Sequence, residues 1–315
     1  MTILVTGGFG FIGSNFINKL NSNDELIINL DKLTYAGNEN NIYQNDNVIS
    51  IYDDICNSSI VEDILKKYKP RAIIHFAAES HVDNSISSPK EFFDTNIIGT
   101  FTLLESIRKI DKSIKFIHIS TDEVYGSLSN DALPSTELDL YLPNSPYAAS
   151  KASADLIVRS YNKTYGIITC TTNCSNNYGP NQHNEKFIPT VIISCLTGKS
   201  IPIYGKGDNI RDWLFVDDHC SAIKLILEHG TSGSKYNIGG ENQYSNLQVV
   251  NMICDLMDKY VPREHSYKNL ISFVEDRLGH DKRYDINSEK IKSELKWSQS
   301  VTFDVGLDYT VKWYI

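Results

Sequence analysis

The first half of the chain alternates short runs of β-branched and other apolar residues with longer amphipathic stretches. The short runs predict five strands, at residues 3–6, 26–30, 48–52, 72–76 and 115–120. The stretches with apolar residues at helical spacing predict helices over 13–20, 59–68 and 89–110. Strands and helices that alternate in this way predict a parallel sheet with helices on both faces.

The pattern changes after a sixth unit, which consists of a helix predicted over 147–165 and a strand over 167–172. Residues 173–207 are rich in Asn, Gly and Pro, which predicts the loops of a second lobe. Further helices are predicted over 217–229, 246–260, 288–295 and 303–313. The expected fold class is therefore α/β, a Rossmann-type doubly wound parallel sheet with a smaller, interleaved α/β domain.

Composition narrows the class of partner. The 315 residues are 41% hydrophobic and 22% charged, as in ordinary globular proteins, and the length favours a large domain that carries a smaller one. The formal net charge of -9 argues against general binding to nucleic acids or anionic membranes, because both are polyanions. No apolar run approaches the length of a membrane span.

The cysteines and the amino terminus predict a cytoplasmic protein. The six cysteines are scattered without a close CxxC pair, mostly in apolar stretches, so reduced, buried thiols are expected. The amino terminus begins on a strand-like run and breaks into glycines, unlike a signal peptide. The eight histidines show no metal-ligand spacing, so no metal is predicted.

A glycine-rich loop, Thr6-Gly-Gly-Phe-Gly-Phe-Ile-Gly13, joins the first predicted strand to the first helix. In a dinucleotide-binding loop, Gly7, Gly10 and Gly13 would serve for a tight turn, for close approach to a pyrophosphate and for helix packing. Asp31 ends the second strand, where a carboxylate accepts hydrogen bonds from ribose hydroxyls and repels a 2′-phosphate. Together these residues predict NAD as the cofactor, although a purely structural turn and a capping aspartate are the alternatives.

Tyr147 and Lys151 lie four residues apart at the start of a predicted helix, so both side chains lie on one face. A neighbouring lysine favours the tyrosinate and is expected to lower the pKa of the phenol, which would make Tyr147 a base. The same YxxxK spacing also occurs by chance in exposed helices. Its position after the fifth strand of a dinucleotide-binding sheet favours the catalytic interpretation.

Two adjacent carboxylates, Asp122 and Glu123, lie in the segment Ser120-Thr-Asp-Glu-Val-Tyr-Gly126, which ends the fifth strand. This is the carboxyl edge of the sheet, where such folds bind ligands. In a partly dry site the two charges would repel, so one carboxyl would keep its proton and act as an acid while the other acts as a base. A solvated acidic turn is the alternative interpretation.

These motifs together resemble the extended short-chain dehydrogenase/reductase family, and the segment 120–126 resembles the signature of its dTDP-glucose 4,6-dehydratase subfamily. Further segments that resemble that subfamily are Asp31-Lys-Leu-Thr-Tyr-Ala-Gly-Asn38, Ala77-Ala-Glu-Ser-His-Val-Asp83, Asn173-Cys-Ser-Asn-Asn-Tyr-Gly-Pro180, Arg211-Asp-Trp213 and Asp276-Arg-Leu-Gly-His-Asp281. The similarity spans nearly the whole chain.

The resemblance implies a three-step, redox-neutral cycle on a nucleoside-diphosphate-glucose. Tyr147, aided by Lys151 and Thr121, would deprotonate the 4-hydroxyl while hydride passes to a tightly bound NAD. Glu123 would remove the proton at carbon 5, and Asp122 would protonate the departing 6-hydroxyl. Hydride would return to carbon 6, which gives the 4-keto-6-deoxy sugar and water.

The resemblance also implies the two binding sites and a homodimer formed through helices 89–110 and 147–165. NAD would contact Gly7, Gly10, Phe11, Ile12, Gly13, Asp31, Lys32, Leu33, Thr34, Asp54, Ile55, Phe76, Ala77, Ala78, Ser80, Thr95, Tyr147, Lys151 and Asn177. The sugar nucleotide would contact Ser80, His81, Thr121, Asn176, Lys186, Phe187, Pro202, Ile203, Tyr204, Arg211, Asn246, Arg277 and His280, with the two arginines on the pyrophosphate. The NAD-binding domain would comprise 1–172 and about 209–236, and the sugar-nucleotide-binding domain 173–208 and 237–315.

Three positions depart from the subfamily pattern: Phe9 in place of alanine, Asn57 in place of aspartate and Leu278 in place of proline. Leu278 lies between proposed nucleotide ligands, so dTDP-glucose and UDP-glucose both remain candidate substrates. Related 4-epimerases and decarboxylases are rival functions, but an epimerase needs no acid/base pair for elimination. A non-catalytic NAD-binding regulator is a rival of another class, and it would typically lack Tyr147, Lys151 or the carboxylates.

Overall fold

The structure, a computed structural model, describes residues 1–20, 25–43, 45–276 and 279–315. Within these residues the strands are β1 (Thr2–Thr6), β2 (Leu26–Asp31), β3 (Val48–Tyr52), β4 (Ala72–His75), β5 (Lys115–Thr121), β6 (Thr169–Cys174), β7 (Asn176–Tyr178), β8 (Ile201–Tyr204), β9 (Ile210–Phe215), β10 (Ser234–Ile238), β11 (Gln243–Ser245) and β12 (Ile271–Val274).

The α-helices of the described residues are α1 (Phe11–Leu20), α2 (Ser58–Tyr68), α3 (Val82–Ser87), α4 (Pro89–Phe92), α5 (Thr100–Ile110), α6 (Pro146–Tyr165), α7 (Phe187–Thr197), α8 (Val216–His229), α9 (Asn246–Tyr260), α10 (Glu289–Leu295) and α11 (Phe303–Tyr314). A π-helical segment, Phe93–Gly99, connects α4 to α5. Short 3-10 helices lie at Glu39–Asn41, Asp122–Tyr125 and Tyr267–Leu270.

The main sheet confirms the predicted doubly wound architecture. Within the described residues seven strands pair in parallel, in the order β10-β6-β5-β4-β1-β2-β3. The order runs outward in both directions from β1 and β4, as in dinucleotide-binding folds. Parallel strands bring their carboxyl ends to one edge of the sheet, so β1, β4, β5 and β6 end side by side.

Alternating side chains of each strand pack against helices on opposite faces of the sheet. Ile3 and Val5 of β1 lie in a core that includes residues of α1 and α8, whereas Leu4 lies in a core that includes residues of α2, α5 and α6. Both faces of the sheet are therefore covered, which explains why its strands read as nearly continuous apolar runs.

A second lobe is built from the remaining elements. A three-stranded sheet in the order β11-β9-β7 and the parallel pair β12-β8 pack with α7, α9 and α11 around a separate apolar core, which includes Ile192, Trp213, Ile253 and Phe303. The chain enters this lobe after β6 and returns to the main sheet at β10. This path agrees with the predicted interleaving, while the boundaries between the two domains stay a prediction.

Three parts of the structure differ from the sequence prediction. Residues 173–207 contain the three-turn helix α7 as well as loops, and its segment Phe187–Thr197 is apolar on nearly every side and rich in β-branched residues, so it lacks a helical stripe. The helix predicted over 89–110 is divided into α4, the π-helical segment and α5. The predicted strand 167–172 lies two residues later, at Thr169–Cys174.

The six cysteines all lie in the described part of the chain, and none forms a disulfide. Five are buried, and Cys56 is half-buried. Among the helices of the described residues, none combines the length and the apolar character that crossing a lipid bilayer requires.

Candidate active site

A cleft of about 300 Å³ opens at the carboxyl edge of the main sheet. Its walls come from the loop after β1, the ends of β2, β4, β5 and β6, the start of α6, and the loop between β7 and α7. The cleft therefore lies where this class of sheet binds ligands, between the sheet and the second lobe.

The glycine loop forms one end of the cleft through its backbone. Gly7 has a φ of +73°, and a Cβ there would lie 2.6 Å from the backbone nitrogen of Ala77. A Cβ at Gly13 would lie 2.3 Å from the carbonyl oxygen of Gly7, whereas a Cβ at Gly10 would meet only that oxygen, at 3.3 Å. Gly7 and Gly13 are thus required by close packing, and Gly10 keeps the backbone open toward the cleft.

Asp31 is fixed at the end of β2 by two backbone donors. The N–H of Phe9 donates to Oδ2 at 2.9 Å, and the N–H of Leu33 donates to Oδ1 at 2.8 Å. Burial raises the pKa of this carboxyl, while the two N–H groups and Lys32 oppose the rise. The carboxylate is therefore held rigidly on the rim of the cleft, in the position predicted for a ribose ligand.

Lys32 links two other parts of the same rim. Its Nζ lies 3.4 Å from Asp54 Oδ2 and donates to Thr95 Oγ1 at 3.2 Å. Asp54 also accepts the N–H of Cys56 at 2.9 Å. The loops after β2 and β3 and the π-helical segment are joined through these contacts.

Helix α6 carries Tyr147 and Lys151 into the cleft. Its N-terminus is fixed by Ser145, whose Oγ accepts the N–H of Ala148 at 3.1 Å, and Pro146 occupies the first turn. Lys151 Nζ donates to the carbonyl oxygen of Ile119 at 2.6 Å. Tyr147 and Lys151 thus line the cleft between α6 and β5.

The ionisation of the pair differs from the sequence expectation. Burial raises the pKa of Tyr147 well above its usual value, with a further rise from Glu123, and the hydrogen bond with Thr121 only partly opposes it. Burial also lowers the pKa of Lys151 to about 8. The expected lowering of the Tyr147 pKa was therefore wrong for this structure, because desolvation outweighs the neighbouring ammonium.

The two carboxyl groups after β5 have different surroundings. Asp122 is 2% exposed, and its Oδ1 accepts the hydroxyl of Thr121 at 3.3 Å, whereas its Oδ2 is buried and has no hydrogen-bond partner in the described residues. Burial raises the pKa of Asp122 well above its usual value, and Glu123 raises it further. Glu123 is half-buried. The surroundings of Asp122 thus favour its protonated form, whereas Glu123 is the more accessible carboxyl group.

The cleft brings together the five predicted catalytic residues and most of the predicted cofactor residues. Predicted residues that line it are Gly7, Gly10, Phe11, Ile12, Gly13, Asp31, Lys32, Thr34, Ile55, Phe76, Ala77, Ala78, Ser80, Thr95, Thr121, Asp122, Glu123, Tyr147, Lys151, Asn176, Asn177 and Lys186. Leu33 and Asp54 lie at its edge through the contacts with Asp31 and Lys32. His81 caps α3, where its Nδ1 accepts the N–H of Asn84.

Lys186 crosses from the second lobe to the main sheet. Its Nζ donates to the carbonyl oxygen of Ser80 at 2.7 Å and to the Ser80 hydroxyl at 3.2 Å. Two residues predicted to bind the substrate, 106 positions apart, are thus in direct contact.

Arg211 is buried beside the cleft. Its guanidinium donates to the carbonyl oxygens of Ile210 at 2.8 Å and Asp281 at 2.9 Å, and it lies 4.4 Å from the centre of the Tyr284 ring. The guanidinium therefore holds the segment around Asp281 in place, and it contributes positive charge near Asp122.

The other predicted substrate residues lie within the second lobe. Phe187 starts α7 and stacks on Trp213, with ring centres 6.1 Å apart. Ile203 is buried in the apolar core, while Pro202 and Tyr204 are exposed on β8. His280 approaches the Tyr204 ring, and Asn246 is the first residue of α9, which Ser245 caps. Arg277 and Leu278 lie outside the described residues.

Several lining residues had not been predicted. They are Leu30, Ala36, Gly37, Asp53, Glu79, Ile119, Ser120, Cys174, Ser175, Gln182, His183 and Glu185. Ser120, Cys174 and Ser175 lie at the ends of β5 and β6, so the rule that ligands bind at the carboxyl edge could have identified them. Gln182, His183 and Glu185 lie in a loop of the second lobe, and no sequence signal identified them.

Residues 4–310 match the family model described as GDP-mannose 4,6 dehydratase. The dTDP-glucose 4,6-dehydratase of Shigella flexneri is 48% identical to this chain, over 100% of this chain and 93% of that protein. The crystal structure of the dTDP-glucose 4,6-dehydratase DesIV of Streptomyces venezuelae, with NAD and TYD bound, has a TM-score of 0.93 and 41% identity and covers 100% of this chain and 97% of that chain.

An enzyme with a different reaction shares the fold. The UDP-glucose 4-epimerase of Thermotoga maritima, crystallised with UDP-glucose, has a TM-score of 0.90 and 29% identity and covers 100% of this chain and 98% of that chain. The backbone arrangement therefore serves both dehydration and epimerisation. The side chains in the cleft must decide between the two reactions.

Proposed function

The chain belongs to the GDP-mannose 4,6-dehydratase family, and from this premise we propose that it is an NAD-dependent dTDP-glucose 4,6-dehydratase. The reaction converts the glucose nucleotide to its 4-keto-6-deoxy derivative and water. The relative from Shigella flexneri, nearly half identical over its length, favours dTDP-glucose over UDP-glucose as the substrate. The resemblance stated from the sequence motifs is thereby confirmed at the level of the family.

The residues of the cleft fit NAD. The packed glycines leave the backbone accessible at Gly10 and direct the start of α1 toward the cleft, which suits a pyrophosphate. Asp31 is fixed as an acceptor for ribose hydroxyls, and the same carboxylate would repel a 2′-phosphate. When bound, NAD accepts hydride from carbon 4 of the sugar and returns it to carbon 6.

Oxidation of the sugar requires a base at the 4-hydroxyl. Tyr147 takes this proton while burial opposes its ionisation. The proposed role of the Lys151 ammonium, one helical turn along α6, is to favour the ionised phenol. With a pKa of about 8, Lys151 is mostly charged at neutral pH. The Thr121 hydroxyl, which hydrogen-bonds the phenol and Asp122, orients the 4-hydroxyl between them.

Elimination requires a base at carbon 5 and an acid at the 6-hydroxyl. The ketone at carbon 4 acidifies the proton at carbon 5, which Glu123 removes. Asp122 protonates the departing 6-hydroxyl as water, since burial and the neighbouring Glu123 raise the pKa of its carboxyl and so favour the protonated form. The second lobe holds the nucleotide, with Arg211 and Arg277 as the proposed partners of its pyrophosphate.

One observation carries this proposal: a single cleft joins the glycine loop, the pair Tyr147–Lys151 and the carboxyl pair Asp122–Glu123. A 4-epimerase on this fold would need the first two features but no acid/base pair for elimination. The buried Asp122, whose pKa is raised by burial and by Glu123, therefore favours dehydration.

Mass spectrometry of the reaction products tests the proposed function. The protein is incubated separately with dTDP-glucose, UDP-glucose and GDP-mannose. We expect a product that has lost one water, and most of it from dTDP-glucose. An unchanged mass or an isomer with all three substrates contradicts the proposal.

The variant Glu123→Gln tests the order of steps. Hydride transfer at carbon 4 should persist while elimination slows at least about a hundredfold, because general base catalysis contributes about 10²–10⁴ in rate. NADH should therefore accumulate, measured by its absorbance after dTDP-glucose is added. Turnover at the wild-type rate would remove Glu123 from the mechanism.

We further propose a homodimer formed through α5, the preceding π-helical segment and α6. Apolar side chains stand exposed on this face: Ile98 is 49% exposed, Phe101 43% and Leu156 59%. An apolar patch on adjacent helices is typical of a subunit interface. Light scattering should give the mass of a dimer for the wild type and of a monomer for Leu156→Glu.

The proposed location is the cytoplasm. The cysteine thiols are free and mostly buried, as is usual in a reducing compartment. Fractionation of cells should recover the protein with the cytoplasmic enzymes.

A further inference from the structure

A buried polar cluster lies behind the catalytic pair, and the mechanism above does not use it. Asp155 follows Lys151 by one helical turn, just as Lys151 follows Tyr147, so the three side chains lie along one face of α6. All three residues are buried. The Asp155 cluster, defined as Asp155 with His118, Tyr141 and Asn173, extends this row away from the cleft.

Specific contacts hold the Asp155 carboxylate. The Tyr141 hydroxyl donates to Oδ2 at 2.7 Å, and the Asn173 amide donates to the same oxygen at 3.0 Å. His118 Nε2 lies 3.3 Å from Oδ1. The Asn173 amide also donates to the carbonyl oxygen of Thr121 at 3.1 Å, so the cluster connects α6 to the catalytic end of β5.

Lys151 needs a counter-charge because a buried ammonium is costly. Its Nζ donates to a backbone carbonyl, and across the described ranges no carboxylate forms an ion pair with it within 4.0 Å. Burial lowers the pKa of Lys151 to about 8, and the negative charge of Asp155 is the first effect that opposes this lowering. The cluster therefore acts on Lys151 through the electrostatic attraction of its negative charge and not through a direct contact.

The cluster is built to keep Asp155 ionised. Burial alone would raise the pKa of this carboxyl, but the nearby His118 and the hydrogen bonds from Tyr141 and Asn173 bring it below its usual value. Burial lowers the pKa of His118 to about 4, so this ring is neutral at physiological pH. The net charge of the cluster at neutral pH is thus negative.

Other titratable groups surround this row of residues and are part of the same balance. His75 on β4 packs beside His118, with ring centres 5.3 Å apart, and Cys174 on β6 interacts with Lys151. Lys235 on β10 lies 4.5 Å from the centre of the Tyr141 ring and 5.0 Å from that of Tyr125. Glu123 and Asp122 act on Tyr147 from the cleft side.

We propose that Asp155 is a positioning residue for the oxidation step: its buried carboxylate, fixed by Tyr141 and Asn173, keeps Lys151 in the ammonium form behind Tyr147. The effect on turnover rests on the proposed dehydratase function. The effect on the charge of Lys151 does not depend on that function and can be measured without substrate.

The test compares Asp155→Asn with the wild type and with Tyr141→Phe. The Asn amide oxygen can still accept the hydrogen bonds from Tyr141 and Asn173, so this variant removes charge and keeps shape. Tyr141→Phe removes one of these hydrogen bonds and keeps the charge. The ionisation of Lys151 is followed by NMR of protein labelled with ¹³C at the lysine ε-carbons, with the signal assigned through Lys151→Arg.

We expect the Lys151 titration midpoint to fall by about one pH unit in Asp155→Asn, because loss of a nearby opposite charge shifts a pKa by about 1–3 units. The Lys151 titration midpoint in Tyr141→Phe should differ from that of the wild type by less than about half of this shift. NADH formation in the Glu123→Gln background requires the ammonium, so it is lost as pH rises through the midpoint. This alkaline limit should move to lower pH by the same amount when Asp155→Asn is added.

An unchanged midpoint in Asp155→Asn overturns the proposal, as does a rate that falls equally at every pH, since that would indicate a structural role. If Asp155→Asn does not fold, Asp155→Ser removes the same charge and is measured in the same way. Failure of the proposed function has a different result: the wild type gives no dehydrated product, while the Lys151 midpoint still shifts.

Discussion

The cofactor end of the cleft and the second lobe are built in different ways. The glycine loop and Asp31 form their site from one continuous β-α-β stretch, and its main contacts are backbone groups. The residues proposed to hold the nucleotide come from several separate segments, and many are already engaged: Arg211 with carbonyl oxygens, Phe187 with Trp213 and Lys186 with Ser80. A binding site formed by backbone groups of one continuous segment can therefore be predicted from local sequence. A site formed by side chains from separate segments cannot, because their positions depend on the packing of the whole lobe.

The largest expected effect tests the backbone half of this comparison. Gly13→Ala places a Cβ 2.3 Å from the carbonyl oxygen of Gly7, so the helix must shift or the loop must open. The free energy of unfolding should fall by about 3 kcal/mol, as for strong overpacking, and the purified protein should lose its NAD. Thermal or denaturant unfolding and the NAD content of the purified protein measure the two effects.

Gly10→Ala is the matched control, because a Cβ there meets only one oxygen, at 3.3 Å. It should reduce NAD binding and keep stability within about 1 kcal/mol of the wild type. Equal losses of stability in the two variants would show that Gly13 is no more required by close packing than Gly10 is.

The next largest effect tests the part of the comparison that concerns the side chains of the second lobe. Arg211→Met removes the donor to the carbonyl oxygens of Ile210 and Asp281 and leaves those buried oxygens without it. The free energy of unfolding should fall by about 2 kcal/mol even without substrate. Arg159→Met, at an exposed position, should change stability by less than about 0.5 kcal/mol. A raised KM with unchanged stability would instead identify Arg211 as a ligand residue alone.

The smallest expected effect tests whether the Asp31 carboxylate binds the ribose of NAD. In Asp31→Asn the amide carries no charge and its NH₂ group faces a backbone donor, so ribose binding should weaken. The Kd for NAD should rise about tenfold, which corresponds to about 1.4 kcal/mol, and the preference over NADP should shrink. Calorimetry on protein stripped of NAD gives both constants. Asp53→Asn on the same rim should leave the NAD preference unchanged.

The sequence allowed the main sheet to be predicted, because its first five strands are short apolar runs separated by amphipathic helices. Helix α7 was missed because apolar residues on nearly all of its sides remove the periodic signal from the sequence. Strand β10 was missed because its residues Ser234–Ile238 are half polar, although they complete the sheet.

The candidate site, too, could be predicted only in part from the sequence. The positions of Tyr147, Lys151, Asp122 and Glu123 followed from spacing and from the end of β5. The direction of the Tyr147 pKa did not, since it depends on desolvation by neighbours from several elements. Sequence spacing predicts which groups meet but not how dry their surroundings are.

The late arrival of β10 has a consequence for biosynthesis. This strand pairs with the outer side of β6, yet the ribosome makes it only after β7, α7, β8, β9 and α8. Until then the nascent sheet ends in a strand with unsatisfied backbone donors and acceptors, which invites pairing with other chains. Premature termination before β10 would therefore yield a product prone to aggregation, and the cofactor half of this protein should be expressed only with the segment that pairs with β6.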